Sequence, residues 1–416
     1  MNTFSKLFLK FLTMQELFTE EKNCCGCEAC VQVCPVSIVE MKADKQGFFY
    51  PRITDSEKCI SCKSCEKVCP LKNRMVSPRK TESAYTGFAN DINIVKNCAS
   101  GGIATTIATC FISDGGIVYG VKYSKDCLFI EYSRAESTEE LRKFRGSKYA
   151  QSRKHDIFKR VWADLKDGQK VLFIGLPCDV AALYNFLRNN NQNLYTIELV
   201  CHGVTSPNAH HQFVKSEMSE HHSRMKEFSV RYKKVGWKPY YIYEKYENGS
   251  EVVMPFRPTD YGIVFHFLKR PSCYACKFKI YDDAFGLQAD LTVGDNHGAS
   301  ESSPSYNLWG SSVCYVHTDK GQYLLKSIAA DFKLNKEKNV TTMVKHNLAL
   351  FKPFPKKSNY DEFTSEFAHS GLHAACTHPS TAKLESLLRK RKRISAVKLF
   401  FYKISGLRWL KDQFQR

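Results

Sequence analysis

Long apolar runs are missing from this chain: no stretch of 18 or more apolar residues occurs. A membrane-spanning helix needs about 20, so none is expected. A secretory pattern is missing too. The segment Met1 to Phe18 sets Lys6 and Lys10 among its apolar residues and has no small-residue cleavage site. No G-x-G-x-x-G follows a strand pattern and no P-loop is present, which argues against direct nicotinamide chemistry. There is no low-complexity tract. Acidic residues are the scarcer sign, 42 against 61 Lys and Arg, for a net charge of +19. That excess is uneven: Lys383 to Arg416 holds eleven Lys/Arg and two Asp/Glu, a net of +9 in the last 34 residues. It belongs to a tail, and no recognition motif accompanies it, so nucleic acid is not an expected partner.

What the chain has in excess is cysteine. Nine of its 18 cysteines lie between Cys24 and Cys69. Disulfides in an exported protein and metal ligands in a reduced compartment are the two general readings. Without an export pattern, a cytoplasmic location and metal ligation are expected. The spacing sharpens this. Cys24-x2-Cys27-x2-Cys30-x3-Cys34-Pro35 recurs at an offset of 35 residues as Cys59-x2-Cys62-x2-Cys65-x3-Cys69-Pro70. A four-iron cluster takes three thiolates from one tight loop, and in two-cluster ferredoxins the last Cys of each run serves the other cluster. The expected assignment is therefore Cys24, Cys27, Cys30 and Cys69 to one [4Fe–4S] cluster, and Cys59, Cys62, Cys65 and Cys34 to a second. Zinc sites use paired C-x2-C units instead. Cys25 breaks the spacing and is read as a bystander.

Four segments follow from the pattern. Residues 1–18 place Phe4, Leu7, Phe8, Phe11 and Leu12 at helical spacing, an amphipathic segment. Residues 19–80 form the ferredoxin-type domain, ending in a polar linker at 73–80. Residues 81–350 read as an oxidoreductase domain, and 351–416 as a basic tail. In the third segment, Lys170–Ile174 and Leu194–Val200 read as strands around a helix from Asp179 to Leu187. Strand–helix–strand over about 30 residues is a parallel crossover. The expected fold class is α+β: a ferredoxin-like dicluster domain, then a mixed α/β domain with a βαβ unit.

Cys178 and Cys201 follow those two strands, so both are expected at the carboxyl edge of the sheet, where α/β folds place their ligands. Cys273-x2-Cys276 could complete a four-thiolate set. On residues alone three readings stand for this quartet: a third cluster, zinc, or unligated core thiols. Cys98, Cys110, Cys127, Cys314 and Cys376 read as core residues.

The chain resembles the beta subunits of coenzyme F-420-dependent hydrogenases and dehydrogenases, an iron–sulfur flavoprotein family. The matching segments are Ser100-Gly101-Gly102, Arg145-Gly146-Ser147-Lys148-Tyr149, Phe173-Ile174-Gly175-Leu176-Pro177-Cys178, Cys201-His202-Gly203-Val204-Thr205-Ser206-Pro207, Cys273-Tyr274-Ala275-Cys276-Lys277-Phe278 and Ala289-Asp290-Leu291-Thr292-Val293-Gly294-Asp295. The resemblance implies a third [4Fe–4S] cluster on Cys178, Cys201, Cys273 and Cys276. It implies FAD, with Ser100, Gly101, Gly102, Gly146, Ser147, Lys148, Tyr149 and Asp295 lining the flavin site. A Ser-Gly-Gly turn before a helix can offer amides to a pyrophosphate, and Lys148 adds a cation. One departure stands out: Asn296-His297-Gly298 follows the Gly-Asp pair, where the family often has an aromatic residue.

The expected function is an iron–sulfur flavoprotein oxidoreductase. It would pass electrons from a ferredoxin-type donor through the clusters to FAD and a small-molecule acceptor. The alternative is an electron-transfer subunit of a larger complex with no substrate of its own. His202, beside a ligand position, is read either as a cluster-tuning or proton-shuttling group or as a packed strand-end residue. In the tail, apolar residues from Leu384 to Leu410 fall near helical spacing around Arg389-Lys390-Arg391-Lys392-Arg393. A basic amphipathic helix of that kind can lie on an anionic membrane, so peripheral contact with the inner membrane face is one reading and a helix docked on the body the other.

Overall fold

The computed structural model describes residues 17–188, 191–341 and 346–386. The helices expected over 1–18 and 384–410 lie almost wholly outside these residues. The chain divides into two compact units, Met1–Lys356 and Lys357–Arg416.

The first unit opens with the Cys-rich segment. Helix α1 (Ala29–Val33) follows the first Cys triplet and α2 (Ser64–Lys67) lies in the second. Between them β1 (Val39–Ala43) and β2 (Phe49–Ile53) pair antiparallel. The 35-residue repeat persists in the backbone. Gly26 and Ser61 have φ of 68° and 54°, and Glu28 and Lys63 have φ of 60° and 55°. These left-handed residues flank Cys27 and Cys62 and curl each loop about its central Cys. Three of the four are not glycine, which is uncommon in this region of backbone space.

The body follows in order: β3 (Ser83–Ala89), α3 (Ile92–Asn97), α4 (Ile103–Ser113), β4 (Ile117–Tyr123), β5 (Ile130–Ala135), α5 (Thr138–Arg142), α6 (Ile157–Lys166), β6 (Val171–Gly175), α7 (Pro177–Leu187), β7 (Leu194–Leu199), α8 (Pro207–Glu220), β8 (Met225–Tyr232), β9 (Tyr241–Tyr246), β10 (Glu251–Pro255), α9 (Asp260–Phe267), α10 (Pro271–Tyr274), β11 (Leu291–Asp295), β12 (Ser312–Val316), α11 (Asp319–Lys326) and β13 (Phe332–Lys336). Eight strands form one sheet in the order β13-β3-β12-β11-β7-β6-β4-β5. Its centre, β4, β6, β7 and β11, is parallel, and β6-α7-β7 is the expected crossover. The flanking pairs are antiparallel. The protein is thus α+β with a large mixed sheet.

The central strands are buried on both faces, as parallel strands covered by helices must be. Ile117, Tyr119, Val171 and Phe173 share a core with Phe158, Val161, Val180 and Leu183 of α6 and α7. Val118 and Leu172, one residue out of phase, join Ile103, Ile107 and Phe111 of α4 and Leu324 and Leu325 of α11. The period of two along a strand sorts one sequence run into two cores. A separate antiparallel sheet, β10-β9-β8, carries Arg231.

Residues 73–80, expected as a linker, run as a strap along the body. Asn185 of α7 donates to the Asn73 carbonyl at 2.9 Å and accepts the Met75 N–H at 3.0 Å. Arg79 donates its N–H to the Leu287 carbonyl and pairs with buried Asp290 at 2.5 Å. In the second unit, α12 (Tyr360–Ser370) and α13 (Leu372–Thr377) meet at Gly371, whose φ is 88°.

Candidate functional site

Two cavities ringed by thiols lie on either side of the Cys24–Cys27 loop. The first, about 510 Å³, is lined by Cys24, Cys27, Cys30, Cys65 and Cys69. It brings together the four thiols read as one cluster's ligands, with Cys65 of the second set at its wall. Burial raises Cys24, Cys30 and Cys69, the last to about 11, and the neighbouring thiols add to the rise at each. A cavity of mutually repelling thiolates favours a polycation at its centre. Cys59 and Cys62 are exposed and Cys34 is half-buried; none of the three lines this cavity.

The second cavity, about 800 Å³ with its mouth, is lined by Cys178, Cys201, Cys273 and Cys276. The fold explains why they meet. Cys178 sits in the first turn of α7, directly after β6, with Pro177 at its head. Cys201 follows β7, and both strands are parallel, so both thiols come off one sheet edge. Gly203 (φ 93°) turns its N–H to donate to Cys201 Sγ at 3.2 Å. A Cβ at Gly203 would lie 2.9 Å from Cys273 Cβ, so only glycine lets this loop approach the third thiol. Burial pushes Cys201 up to about 11 and Cys273 to about 12, with the other cysteines of the set contributing.

Buried cations near the thiols test whether a cluster fits here. Lys269 is fully buried and its Nζ has no hydrogen-bond partner among the described residues. Burial pulls it down to about 7, opposed by Cys273 and Cys201. Lys279 reaches the Cys201 carbonyl from the same cavity at 3.5 Å. Lys269 Nζ lies over the Phe265 ring at 3.5 Å, while Lys154, Lys277 and Lys279 line the cavity itself; a four-iron cluster on four thiolates is a net anion that such cations offset. The donor set and its counter-charge fit such a group.

Cys25 is not the bystander expected from spacing. It lines both cavities, and its thiol is pushed up first by contact with Cys178 and then by Cys27. Loop spacing identifies ligands only within one loop, and Cys25 faces a partner distant in sequence. The loop is braced from behind. Arg270, fully buried, donates Nε to the Cys24 carbonyl at 2.8 Å and Nη1 to Gln151 Oε1 at 2.9 Å. Gln151 in turn donates to the Cys25 and Gly26 carbonyls at 3.1 and 3.0 Å. Lys154, 1% exposed, pairs with Asp179 at 3.1 Å against the second cavity.

The segments expected at a flavin are partly assembled. Buried Arg231 gathers two of those residues and the carbonyl next to a third: it donates to Asp295 at 3.0 Å and to Tyr149 Oη at 3.3 Å, and to the Ala99 carbonyl beside Ser100 at 2.7 Å. Burial pushes the Asp295 carboxyl up, but Arg231 and His297 outweigh it and hold it below the usual range. Arg231 was invisible in the sequence, since a lone Arg on a strand carries no signal. His297 stacks on Trp237 at 5.5 Å. His202 lines the thiol cavity and feels Lys269, His297 and Asp295; burial, then Lys269, holds it down to about 4, so it is neutral near pH 7. Ser100 Oγ donates to the Ser311 carbonyl at 2.5 Å, and the Gly101 N–H is spent on Ser312 Oγ at 2.9 Å. Gly101 therefore serves a close crossing over β3 and β12. Gly102 (φ 91°) caps α4. Lys148 Nζ donates to the Arg145 and Lys143 carbonyls at 2.7 and 3.0 Å, and burial pulls it down to about 7. Gly146 (φ 77°) faces open space, and Ser147 accepts from Tyr123.

Asp290 is structural: it accepts from the Thr196 N–H and Oγ1, from Thr318 and from Arg79. Cys98, Cys127, Cys314 and Cys376 are buried, and Cys110 is half-buried.

Three family models match segments of the chain. Residues 84–158 match the N-terminal model, and residues 168–341 the C-terminal model, of the coenzyme F420 hydrogenase/dehydrogenase beta subunit. Residues 23–73 match a 4Fe-4S dicluster domain. No curated protein matches the chain. Among solved structures, a chain of the F420-reducing [NiFe] hydrogenase complex from Methanosarcina barkeri, studied with xenon, aligns over 70% of this chain and 93% of its own, at 18% identity and a TM-score of 0.44.

Proposed function

Since the chain belongs to the coenzyme F420 hydrogenase/dehydrogenase beta subunit family, and so to an oxidoreductase family with an iron–sulfur dicluster domain, we propose that it is an iron–sulfur flavoprotein that moves electrons from a ferredoxin-type protein to a small-molecule acceptor. One observation carries this reading: two thiol-lined cavities meet at Cys25, which lines both. Clusters bound there would supply single-electron steps, and a flavin the exchange of an electron pair with the acceptor.

The chain's own residues set the stage for this. Cys24, Cys27, Cys30 and Cys69 hold the inner cluster of the dicluster domain, and Cys34, Cys59, Cys62 and Cys65 the outer one. Cys178, Cys201, Cys273 and Cys276 hold the third. Lys277 and Lys279, which line that third site, place positive charge there, which favours the reduced, more negative state. Exposed Cys59 and Cys62, with Ile60 61% exposed between them, form the entry port for a donor protein. Arg231, bonded to Asp295 and Tyr149, would fix these two side chains at a flavin site. His202 lines the thiol cavity.

The alternative is a subunit that only relays electrons within a larger complex. The deciding experiment is iron, sulfide and flavin content of the protein purified without oxygen. About twelve irons and one FAD per chain are expected. About eight irons and no flavin would overturn the reading and leave the dicluster domain alone.

A further inference from the structure

Away from the thiols, three side chains of the first unit converge on one point. Glu217 and His221 lie four apart on and just past α8, so they share a helix face. Glu244 lies on β9, the middle strand of the small sheet, and its buried face is turned to that helix. One ligand atom from each of the three falls within 4.8 Å of the others. We propose that Glu217, His221 and Glu244 bind a divalent first-row transition-metal ion, pinning α8 to the small sheet.

Glu244 is the most deeply buried of the three. The residue is 0% exposed. Tyr246, two residues along the same strand face, donates to its Oε2 at 2.6 Å. Its Oε1 is sealed from solvent with no donor in bonding geometry, and the group facing it is the carboxyl of Glu217, whose hydrogen bond with Glu244 raises Glu244 and lowers Glu217. A buried carboxylate oxygen without a donor is costly. The charges acting most strongly on Glu217 are Glu220, which repels, and His221, with Asp260 adding further repulsion. Burial, and then Glu217 and Glu220, raise Glu244 to about 8. In a chain of net charge +19, these acidic groups gather around one imidazole. Two carboxylates and one imidazole are a ligand set for zinc, manganese or ferrous iron. His221 packs on the Tyr246 ring at 4.7 Å, which fixes its plane. Glu217 and His221 side chains are 14% and 29% exposed, so an ion has a path in.

The site has a structural consequence. α8 leads away from the Cys201–Ser206 loop, and β8, paired to β9, carries Arg231. An ion here ties the small sheet to the helix that starts at the thiol cavity.

The test uses Mn²⁺, which prefers oxygen and nitrogen ligands and leaves thiols alone. Cluster-loaded protein, freed of loose metal on a chelating resin without oxygen, is titrated with Mn²⁺, and the EPR signal of the free aquo ion is followed. One bound ion per wild-type chain is expected. Glu217→Gln and His221→Ala, at part-exposed positions, should each weaken binding by at least about tenfold, while Glu251→Gln on the neighbouring strand should not. Unchanged iron content shows that the variants are folded. Mn²⁺ should raise the melting temperature of the wild type and not of Glu217→Gln. Absence of Mn²⁺ binding by the wild type, or equal binding by Glu217→Gln, would overturn the proposal. Glu217 and Glu244 would then share a proton instead.

Discussion

At the scale of single residues, Cys25 and Arg231 are the two positions where chemistry was illegible in the sequence. The eight ferredoxin-type cysteines announce themselves by spacing because their ligand loop is local. Cys25 meets Cys178, which is 153 positions further on, and nothing local records that. Serine at Cys25 and at Cys178 should therefore behave differently. Cys178→Ser should lower iron by about four per chain. Cys25→Ser should keep the iron and shift the reduction potential of the third cluster, read by EPR-monitored titration. An unchanged potential would return Cys25 to the role of spectator. Arg231→Met leaves Asp295 without its cation in a buried setting, a loss of about 3–5 kcal/mol. Flavin content should fall with it, measured by absorbance after denaturation, and a variant that retains full flavin would remove Asp295 from the flavin site.

At the scale of elements, the central parallel strands were readable because both of their faces are apolar. β6 and β7 were located to within a residue. The strands that went unread, β3, β5 and β13, carry Thr, Ser, Lys and Asn within their spans and lie on or toward the sheet's flanks. Polar residues there pair with other side chains, as Thr86 does with Glu337, and the apolar signal breaks. Ser100-Gly101-Gly102 shows the opposite error, a turn read as a phosphate cradle whose first glycine is spent on packing. A Cβ at Gly101 would sit 2.4 Å from the Gly87 carbonyl oxygen and 2.6 Å from the Ser312 nitrogen, both backbone atoms. Gly101→Ala should cost about 3 kcal/mol, since strands in mid-sheet cannot yield. Gly115→Ala, with φ of 77° and nothing near its Cβ, should cost only about 1 kcal/mol, from backbone strain alone. Equal melting temperatures for the two variants would sink the packing argument.

At the scale of the whole molecule, one buried acid sets a pH trend. Burial pushes Glu198 up to about 7 from 4.5, against the bond from Thr292. The folded state then holds a proton that the unfolded state has released between those values. The contribution of Glu198 to stability is full below pH 4.5 and is lost as pH rises toward 7, by up to about 3 kcal/mol. Glu198→Gln should flatten that part of the stability curve; parallel melting curves for the two proteins across the window would refute it. The entry port makes a separate demand. Ile60→Asp should slow reduction by a reduced ferredoxin and leave iron content untouched, in stopped-flow and metal analysis respectively. An undiminished rate would place the port elsewhere. Finally, the brace behind the thiol loop has a consequence for synthesis. Cys24 leans on Arg270, 246 positions downstream, and Cys25 on Gln151, 126 downstream. A ribosome therefore releases the first Cys run long before its seat exists, so the machinery that delivers iron and sulfide must either wait for the body or shield a nascent, oxygen-sensitive segment until the last strands are made.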